Sequence, residues 1–216
     1  MGTVDRKEVL LRRIAVALRG LGGAKTPASA GPDRDRTTGV EVRIARFREM
    51  LESEGGNFLT GPSMETMLPA LGEALRVSGV TALFSPPDDA AALLMAETLV
   101  PFGPFTLISL EEARRPAAQP SAGIQTAEFA IAETGTIVQT GRGGKTLLPG
   151  LLPDVHVALL PRSAIVDRME ECLAALSGDL PRNVSFITGP SRTADIEQTL
   201  TIGAHGPKKT IVVLLP

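Results

Sequence analysis

Short apolar runs alternate with segments of helical spacing along most of this chain, and that alternation constrains the fold more than any other feature. The pattern predicts strands at Val80–Phe84, Phe105–Leu110, Val155–Leu160, Val184–Ile187 and Thr210–Leu215. It predicts helices at Met64–Val77, Asp88–Leu99 and Ser163–Leu176. Apolar strands of this kind between helices are typical of a mostly parallel sheet with helices on both faces. The sequence therefore predicts an α/β fold.

The N-terminal part of the chain has a different character. Asp5–Arg19 and Val40–Glu54 show helical spacing, whereas Gly20–Gly39 between them is rich in Gly, Pro and Ser. Residues 1–50 hold eleven Lys/Arg against six Asp/Glu, a charge of +5, and the remaining 166 residues hold eleven against eighteen, a charge of −7. We predict an N-terminal helix with a flexible linker at 1–39 and an α/β domain at 40–216. The basic arm is either a solvated amphipathic helix or a docking segment.

The amino-acid composition argues against several classes of function. The chain has no Trp, no Tyr and only seven Phe, so the side chains that stack on nucleic-acid bases are scarce and no nucleic-acid partner is expected. Cys172 is the single cysteine, which excludes an internal disulfide and falls short of the roughly four thiolates of an iron–sulfur cluster. No apolar run approaches the roughly 18 residues of a membrane span. The sequence therefore predicts a soluble, cytoplasmic protein without membrane insertion.

Residues with special backbone or hydrogen-bonding roles are most concentrated in Phe186–Pro207. A predicted strand stops at Gly189, and Ser191 or Thr193 then provides an N-cap for a short helix with acidic residues near its start. His205 follows between glycines, just before the last predicted strand. This order predicts a site at the carboxyl ends of a parallel sheet. The alternative is a Gly/Pro-rich connection with a capped helix and no function.

A second concentration of such residues lies in Ala127–Thr140. Its apolar alternation is interrupted at 133–136 by Glu-Thr-Gly-Thr, which offers a carboxylate, two hydroxyls and a turn that glycine permits. The alternative is a hairpin turn whose Glu is merely solvated. The next segment, Thr140–Thr146, lacks the spacing of a phosphate-binding P-loop, but it is typical of a mobile basic flap whose Arg142 and Lys145 close on an anion.

Several ordered motifs together resemble the lactate utilization protein C family, the LUD domain. These motifs are Ala-Ile-Ala-Glu-Thr-Gly-Thr at 130–136, Leu-Leu-Pro at 147–149 and 151–153 with His156, Gly-Pro-Ser-Arg-Thr-Ala-Asp-Ile-Glu at 189–197, and Gly-Ala-His-Gly-Pro at 203–207. The resemblance covers residues 125–216 closely, whereas 40–124 share only the α/β pattern. It implies a Rossmann-like fold similar to that of the ribose-phosphate isomerase and coenzyme A-transferase superfamily.

The resemblance also implies a role in the oxidation of L-lactate to pyruvate, beside partner proteins that carry the iron–sulfur clusters. We therefore expect no cofactor in this chain itself. The resemblance attaches no reaction to this subunit, so whether the chain is an enzyme stays open. A homo-oligomer is also left open.

The resemblance directs attention to the polar residues of the two concentrated segments. Glu133 and His205 are the candidate catalytic residues, as base or clamp and as proton carrier near neutral pH. The candidate ligand-binding residues are Thr134, Gly135, Thr136, Gly189, Ser191, Arg192, Thr193 and Asp195, with Arg192 pairing with a carboxylate or phosphate of a small anionic ligand at a helix N-terminus. His156 is predicted to be buried and hydrogen-bonded. No metal site is predicted.

Three functional hypotheses follow. In the first, the domain binds a small carboxylate or phosphorylated ligand and takes part directly in lactate oxidation. In the second, it is a non-catalytic assembly subunit that docks through residues 1–39 onto the cluster-carrying partners. A coenzyme A-transferase or sugar-phosphate isomerase activity is the third, and it rests on fold analogy alone.

Overall fold

The structure, a computed structural model, describes residues 39–115, 121–142, 145–190, 192–194, 200–202 and 206–215. The helices in these residues are α1 (Val40–Ser53), α2 (Met64–Val77), α3 (Ala90–Leu99), α4 (Leu110–Ala113) and α5 (Met169–Ser177). The strands are β1 (Asn57–Leu59), β2 (Ala82–Phe84), β3 (Thr106–Leu107), β4 (Ser121–Thr126), β5 (Phe129–Ile131), β6 (Thr136–Thr140), β7 (Val155–Pro161), β8 (Ile165–Val166), β9 (Val184–Ile187), β10 (Arg192–Ala194), β11 (Leu200–Ile202) and β12 (Lys209–Leu215). Short 3-10 turns occupy Val100–Phe102, Leu148–Gly150 and Arg162–Ala164.

Six of the described strands form a central sheet in the order β1-β12-β7-β4-β2-β3, and every neighbouring pair is parallel. The strand β7 is buried at each of its seven positions, so its sequence is almost continuously apolar. This is the pattern that parallel strands adopt when both faces are covered. The prediction of a mostly parallel sheet with helices is confirmed.

A second sheet packs against one face of the central sheet. Its order is β8-β5-β6-β9, with β5 and β6 joined as an antiparallel hairpin, β9 antiparallel to β6, and β8 parallel to β5. The apolar side chains of α1, such as Phe47 and Leu51, pack in one cluster with Ile137 of β6 and with Val212 of β12. The opposite face of the central sheet is covered by α2 and α3.

Several predicted element bounds are corrected by tertiary pairing. The predicted helix Ser163–Leu176 begins only at Met169, because Ile165–Val166 forms β8 against β5. The predicted strand Phe105–Leu110 is reduced to β3, and Leu110 already begins α4. The central strand β4 was not predicted at all.

The predicted short helix after Ser191 is also wrong where the structure describes it. Arg192–Ala194 forms β10, paired antiparallel with β11 at Leu200–Ile202. A Ser or Thr after Gly-Pro suits a turn as well as a helix cap. Here the pairing of Arg192–Ala194 with β11 favours the turn and the strand over the helix.

Two further sequence predictions concern the ends of the domain. The predicted helix Val40–Glu54 is confirmed as α1, whereas the predicted arm at 1–39 lies outside the described residues except for Gly39. Among the helices that the structure describes, none has the length and apolarity needed to cross a bilayer.

Candidate functional site

The described residues enclose a cavity of about 400 Å³ at the carboxyl end of the central sheet. Its wall includes Gln125 and Thr126 at the end of β4 and Pro161 at the end of β7. The second sheet contributes Gln139 and Thr140 from the end of β6. A cavity of this volume at this edge of an α/β sheet is the usual place for a small ligand.

Asp89 fixes one wall of the cavity. Its carboxylate accepts hydrogen bonds from the backbone N–H of Ala92 at 3.0 Å and from the backbone N–H and hydroxyl of Thr126 at 2.7 and 2.9 Å. It therefore caps α3 and ties that helix to the end of β4. With these three donors and only 9% exposure, Asp89 has an architectural role in the site.

The mouth of the cavity carries charged side chains. Arg142 donates from Nη2 to the backbone oxygen of Asp179 at 2.8 Å, and its Nη1 lies 3.4 Å from Oε1 of Glu128. The second oxygen of Glu128 accepts a short hydrogen bond from the hydroxyl of Thr140. Lys145 also lines the cavity, and within the described part of the chain it forms no ion pair. The ammonium group of Lys145 is therefore available to bind an anion.

Gln139, which lines the cavity, is paired with an imidazole buried behind it. Gln139 is 2% exposed, and its Nε2 lies 3.0 Å from Nε2 of the fully buried His156. Burial lowers the pKa of His156 to about 4, so the ring is neutral at physiological pH and its Nε2 accepts the amide proton. The prediction that His156 is buried and hydrogen-bonded is confirmed.

The predicted residues Glu133–Thr136 lie at the far end of the β5–β6 hairpin from this cavity. Oε1 of Glu133 accepts a hydrogen bond from the backbone N–H of Met169 at 2.8 Å. The hydroxyls of Thr134 and Thr136 are 2.7 Å apart, and Thr136 is 2.7 Å from the hydroxyl of Thr188. The turn is thus a closed polar cluster beside the start of α5.

The structure brings the two sequence-predicted segments together at this cluster. Gly189 follows Thr188 directly, with a φ of +69° and its backbone packed on the end of α1, where an added Cβ would lie 2.6 Å from the oxygen of Glu54. Gly135 has a φ of +65° and packs on the same helix. Both glycines therefore serve close backbone approach in the left-handed region.

The remaining predicted site residues are described only in part. Arg192 and Thr193 are placed by their backbone in β10, whereas Ser191, Asp195 and His205 lie outside the described residues. Their roles stay predictions, as do the ligand roles of Glu133–Thr136. Within the described residues, no group of three or more His, Cys, Asp and Glu side chains is arranged to hold a metal ion.

Sequence reasoning missed the cavity wall around Gln125, Asp89 and Glu128. A signal was present at Gln139, a polar residue inside the predicted apolar strand after Ile137. The basic residues Arg142 and Lys145 of the predicted flap do reach the cavity. The predicted and the observed concentrations of polar residues thus lie at opposite ends of one hairpin.

Comparison with known proteins assigns the family. Residues 70–215, more than half of the chain, match the model of the LUD domain. Lactate utilization protein C of Exiguobacterium sp. is 41% identical over 111 residues, which cover 49% of this chain and 48% of that protein. Lactate utilization protein C of Halalkalibacterium halodurans is 39% identical over 105 residues, which cover 46% of each chain. The matched part thus spans about half the length of these relatives.

A solved structure agrees at the level of the fold. The crystal structure of a DUF162 family protein from Deinococcus radiodurans superimposes with a TM-score of 0.57 at 18% identity, covering 83% of this chain and 99% of that one. At this identity the likeness concerns the fold alone. Together with the match over residues 70–215, the findings show that the chain belongs to the LUD domain family.

Proposed function

We propose that this chain takes part in lactate utilization and that its α/β domain binds a small carboxylate in the cavity at the carboxyl end of the central sheet. The first half of the proposal is supported by the relatives, which are named lactate utilization protein C. The second half depends on one observation. The cavity places Lys145, a cation that forms no ion pair among the described residues, at the mouth of a largely apolar chamber that also carries the polar side chains of Gln125, Thr126 and Gln139.

The charges around the mouth favour an anion at Lys145. Arg142 and Glu128 offset each other at the cavity, whereas Asp179, the other carboxylate near Arg142, has an exposed side chain and does not line the cavity. The carboxylate of Asp89 already accepts three hydrogen bonds from the protein. A carboxylate on Lys145 would form a charge-assisted hydrogen bond, which contributes about 1.5–3 kcal/mol.

In this proposal the redox centres lie on separate iron–sulfur partner proteins. The single cysteine of the chain, Cys172, is buried in α5, and burial raises the pKa of its thiol to about 11. A cluster normally requires about four thiolates. The domain would then bind the carboxylate while electrons pass through the partners.

A growth experiment tests the role in lactate utilization. Deletion of the gene for this chain in its host should abolish growth on L-lactate as the carbon source and leave growth on pyruvate intact. Re-expression of the full chain should restore growth. Normal growth of the deletion strain on L-lactate would contradict the proposal.

A binding experiment tests the site. We expect isothermal titration calorimetry to detect L-lactate, with Lys145→Gln weakening its affinity about tenfold through loss of a charge-assisted contact. Lys209→Gln is the matched control, because Lys209 lies at the opposite, amino end of β12 and bonds the hydroxyl of Ser78. Loss of growth on L-lactate without any binding would instead favour the assembly-subunit hypothesis.

A further inference from the structure

The cavity at the carboxyl end of the central sheet is larger than a three-carbon acid requires. Its volume is about 400 Å³, whereas an apolar cavity of about 150 Å³ is enough to hold a benzene ring. A benzene ring has as many non-hydrogen atoms as L-lactate, so a ligand of that size would leave about 250 Å³ of the cavity unfilled. Cavities of about 300–1,000 Å³ usually hold considerably larger organic ligands.

Polar side chains line much of this cavity, but most of their polar atoms are engaged within the protein. The hydroxyl of Thr126 bonds the carboxylate of Asp89, and the hydroxyl of Thr140 bonds the carboxylate of Glu128. Asp89 accepts two further hydrogen bonds from backbone N–H groups, and Oε1 of Glu128 lies 3.4 Å from Nη1 of Arg142. These side chains therefore offer a ligand few free hydrogen-bond partners.

Apolar residues lie where three neighbouring strands end. Pro86 follows β2, Ala127 follows β4 and Pro161 ends β7, and all three residues line the cavity. In the central sheet β4 lies between β2 and β7, so the three residues occupy adjacent positions along one edge. Their side chains contain only carbon and hydrogen. We call Pro86, Ala127 and Pro161 the apolar floor of the cavity.

The free charge of the cavity is at its mouth. Lys145 lines the cavity and forms no ion pair within the described part of the chain. The amide oxygens of Gln125 and Gln139 are buried, so they add no accessible acceptor. The cavity thus combines one available cation with a largely apolar interior. This combination complements a ligand that has one anionic end and an apolar body.

We infer that the cavity takes monocarboxylates whose apolar body is larger than that of lactate, with the carboxylate at Lys145 and the carbon chain on the apolar floor. The inference rests on the proposed function, because it concerns the same site. Each methylene group that moves from water into the cavity strengthens binding through the hydrophobic effect. A chain of hydroxylated carbons gains little in this way, because its hydroxyls lose water and meet few replacement partners.

Calorimetric titration of the full chain with a homologous series tests this inference. The series runs from L-lactate through L-2-hydroxybutyrate and L-2-hydroxypentanoate to L-2-hydroxyhexanoate, and each acid adds one methylene group. We expect each step to tighten binding about fourfold, and the whole series about sixtyfold.

The outcomes separate this inference from the proposed function. Equal or falling affinities along the series, with L-lactate still bound, would overturn the inference and leave the proposed function standing. Binding confined to the longer acids would support the inference and remove lactate as the ligand of the proposed site. Absence of binding by every acid would overturn both.

L-gluconate is the matched control ligand, because it has the carbon chain of L-2-hydroxyhexanoate with a hydroxyl on each further carbon. It should bind no more tightly than L-lactate, since its chain is polar. If L-gluconate bound as tightly as L-2-hydroxyhexanoate, chain length rather than apolar surface would govern the affinity, and the inference would be wrong.

The variant Lys145→Gln tests whether the longer acids occupy this cavity. It should weaken the binding of every acid by the same factor and leave the fourfold step unchanged, because carboxylate and chain contact separate parts of the cavity. Lys209→Gln, at the amino end of β12, is the matched control and should change no affinity. Longer acids whose affinity is unaffected by Lys145→Gln would be bound elsewhere on the protein, which would overturn the inference.

Discussion

Oε1 of Glu133 accepts a hydrogen bond from the backbone N–H of Met169, 36 residues further along the chain, at 2.8 Å. Met169 is the first residue of α5, and the N-cap residue Arg168 makes no capping hydrogen bond with its side chain. The hairpin turn therefore supplies from a distance the acceptor that the helix lacks locally. The carboxylate also suits the positive end of the helix dipole.

Replacing Glu133 should lower stability through the loss of this cap. We expect Glu133→Ala to reduce the free energy of unfolding by about 1 kcal/mol, the usual cost of a lost N-cap. Chemical denaturation measures the change, and Glu133→Gln should lose less because it keeps an acceptor oxygen. Unchanged stability in Glu133→Ala together with loss of ligand binding would favour the predicted catalytic role instead.

The glycine of the same turn is predicted to tolerate no side chain. Gly135 has a φ of +65°, and a Cβ added there would lie 2.4 Å from the backbone nitrogen of Leu51. Gly135→Ala should therefore combine the cost of the left-handed conformation with a backbone clash, about 3 kcal/mol in all.

Gly79→Ala separates these two costs. Gly79 has a φ of +73°, but nothing lies within 4 Å of its added Cβ. This variant should lose only about 1 kcal/mol, the conformational part. Thermal denaturation of both variants gives the comparison, and equal losses would show that the contact of Gly135 with α1 is unimportant.

The buried His156 should make stability depend on pH. Its pKa in the folded protein is about 4, against 6.5 for the unperturbed group, so the unfolded chain binds the proton more tightly. The free energy of unfolding should fall as the pH drops from 6.5 towards 4, by about 3 kcal/mol from this group. The contribution is fully retained above pH 6.5.

Comparison with His156→Asn isolates that effect. The variant carries no titrating group at 156, so its stability should change less between pH 6.5 and 4. Urea denaturation at several pH values measures the slopes of both proteins. Parallel pH profiles for the two proteins would contradict the assignment to His156.

Replacing one carboxylate oxygen of Asp89 by an amide nitrogen should lower the stability of the protein. In Asp89→Asn an amide N–H replaces one acceptor oxygen and faces a donor of Thr126, which donates to both carboxylate oxygens. We expect a loss of about 2 kcal/mol, the effect of breaking a buried charge-assisted hydrogen bond. Glu112→Gln in the exposed capping box of α4 is the control and should cost less. Denaturation midpoints that are equal for the two variants would contradict the architectural role of Asp89.

Local periodicity was sufficient to predict α2, whose bounds Met64–Val77 agree with the structure. The hairpin of β5 and β6 was only the alternative interpretation of the Glu-Thr-Gly-Thr segment. Strand β4 is not predicted from the sequence. Its residues, Ser-Ala-Gly-Ile-Gln-Thr, are neither strongly apolar nor an alternation of apolar and polar side chains. Its place in the sheet depends on β2 and β7, which pair with it on either side. The sequence of Ser121–Thr126 by itself gives no indication of these two partner strands.

The sequence by itself determined the fold class, the family resemblance and the residues with unusual backbone roles, because propensities, periodicity and glycine geometry are local properties. Only the tertiary structure decided what these residues contact. It directed Glu133 to the N-terminus of α5, extended Arg192–Ala194 as a strand, and brought Gln139 beside His156. These outcomes depend on groups distant in sequence, since the hydrogen-bonding capacity of a buried polar group is satisfied by whichever partner the packed sheets place beside it.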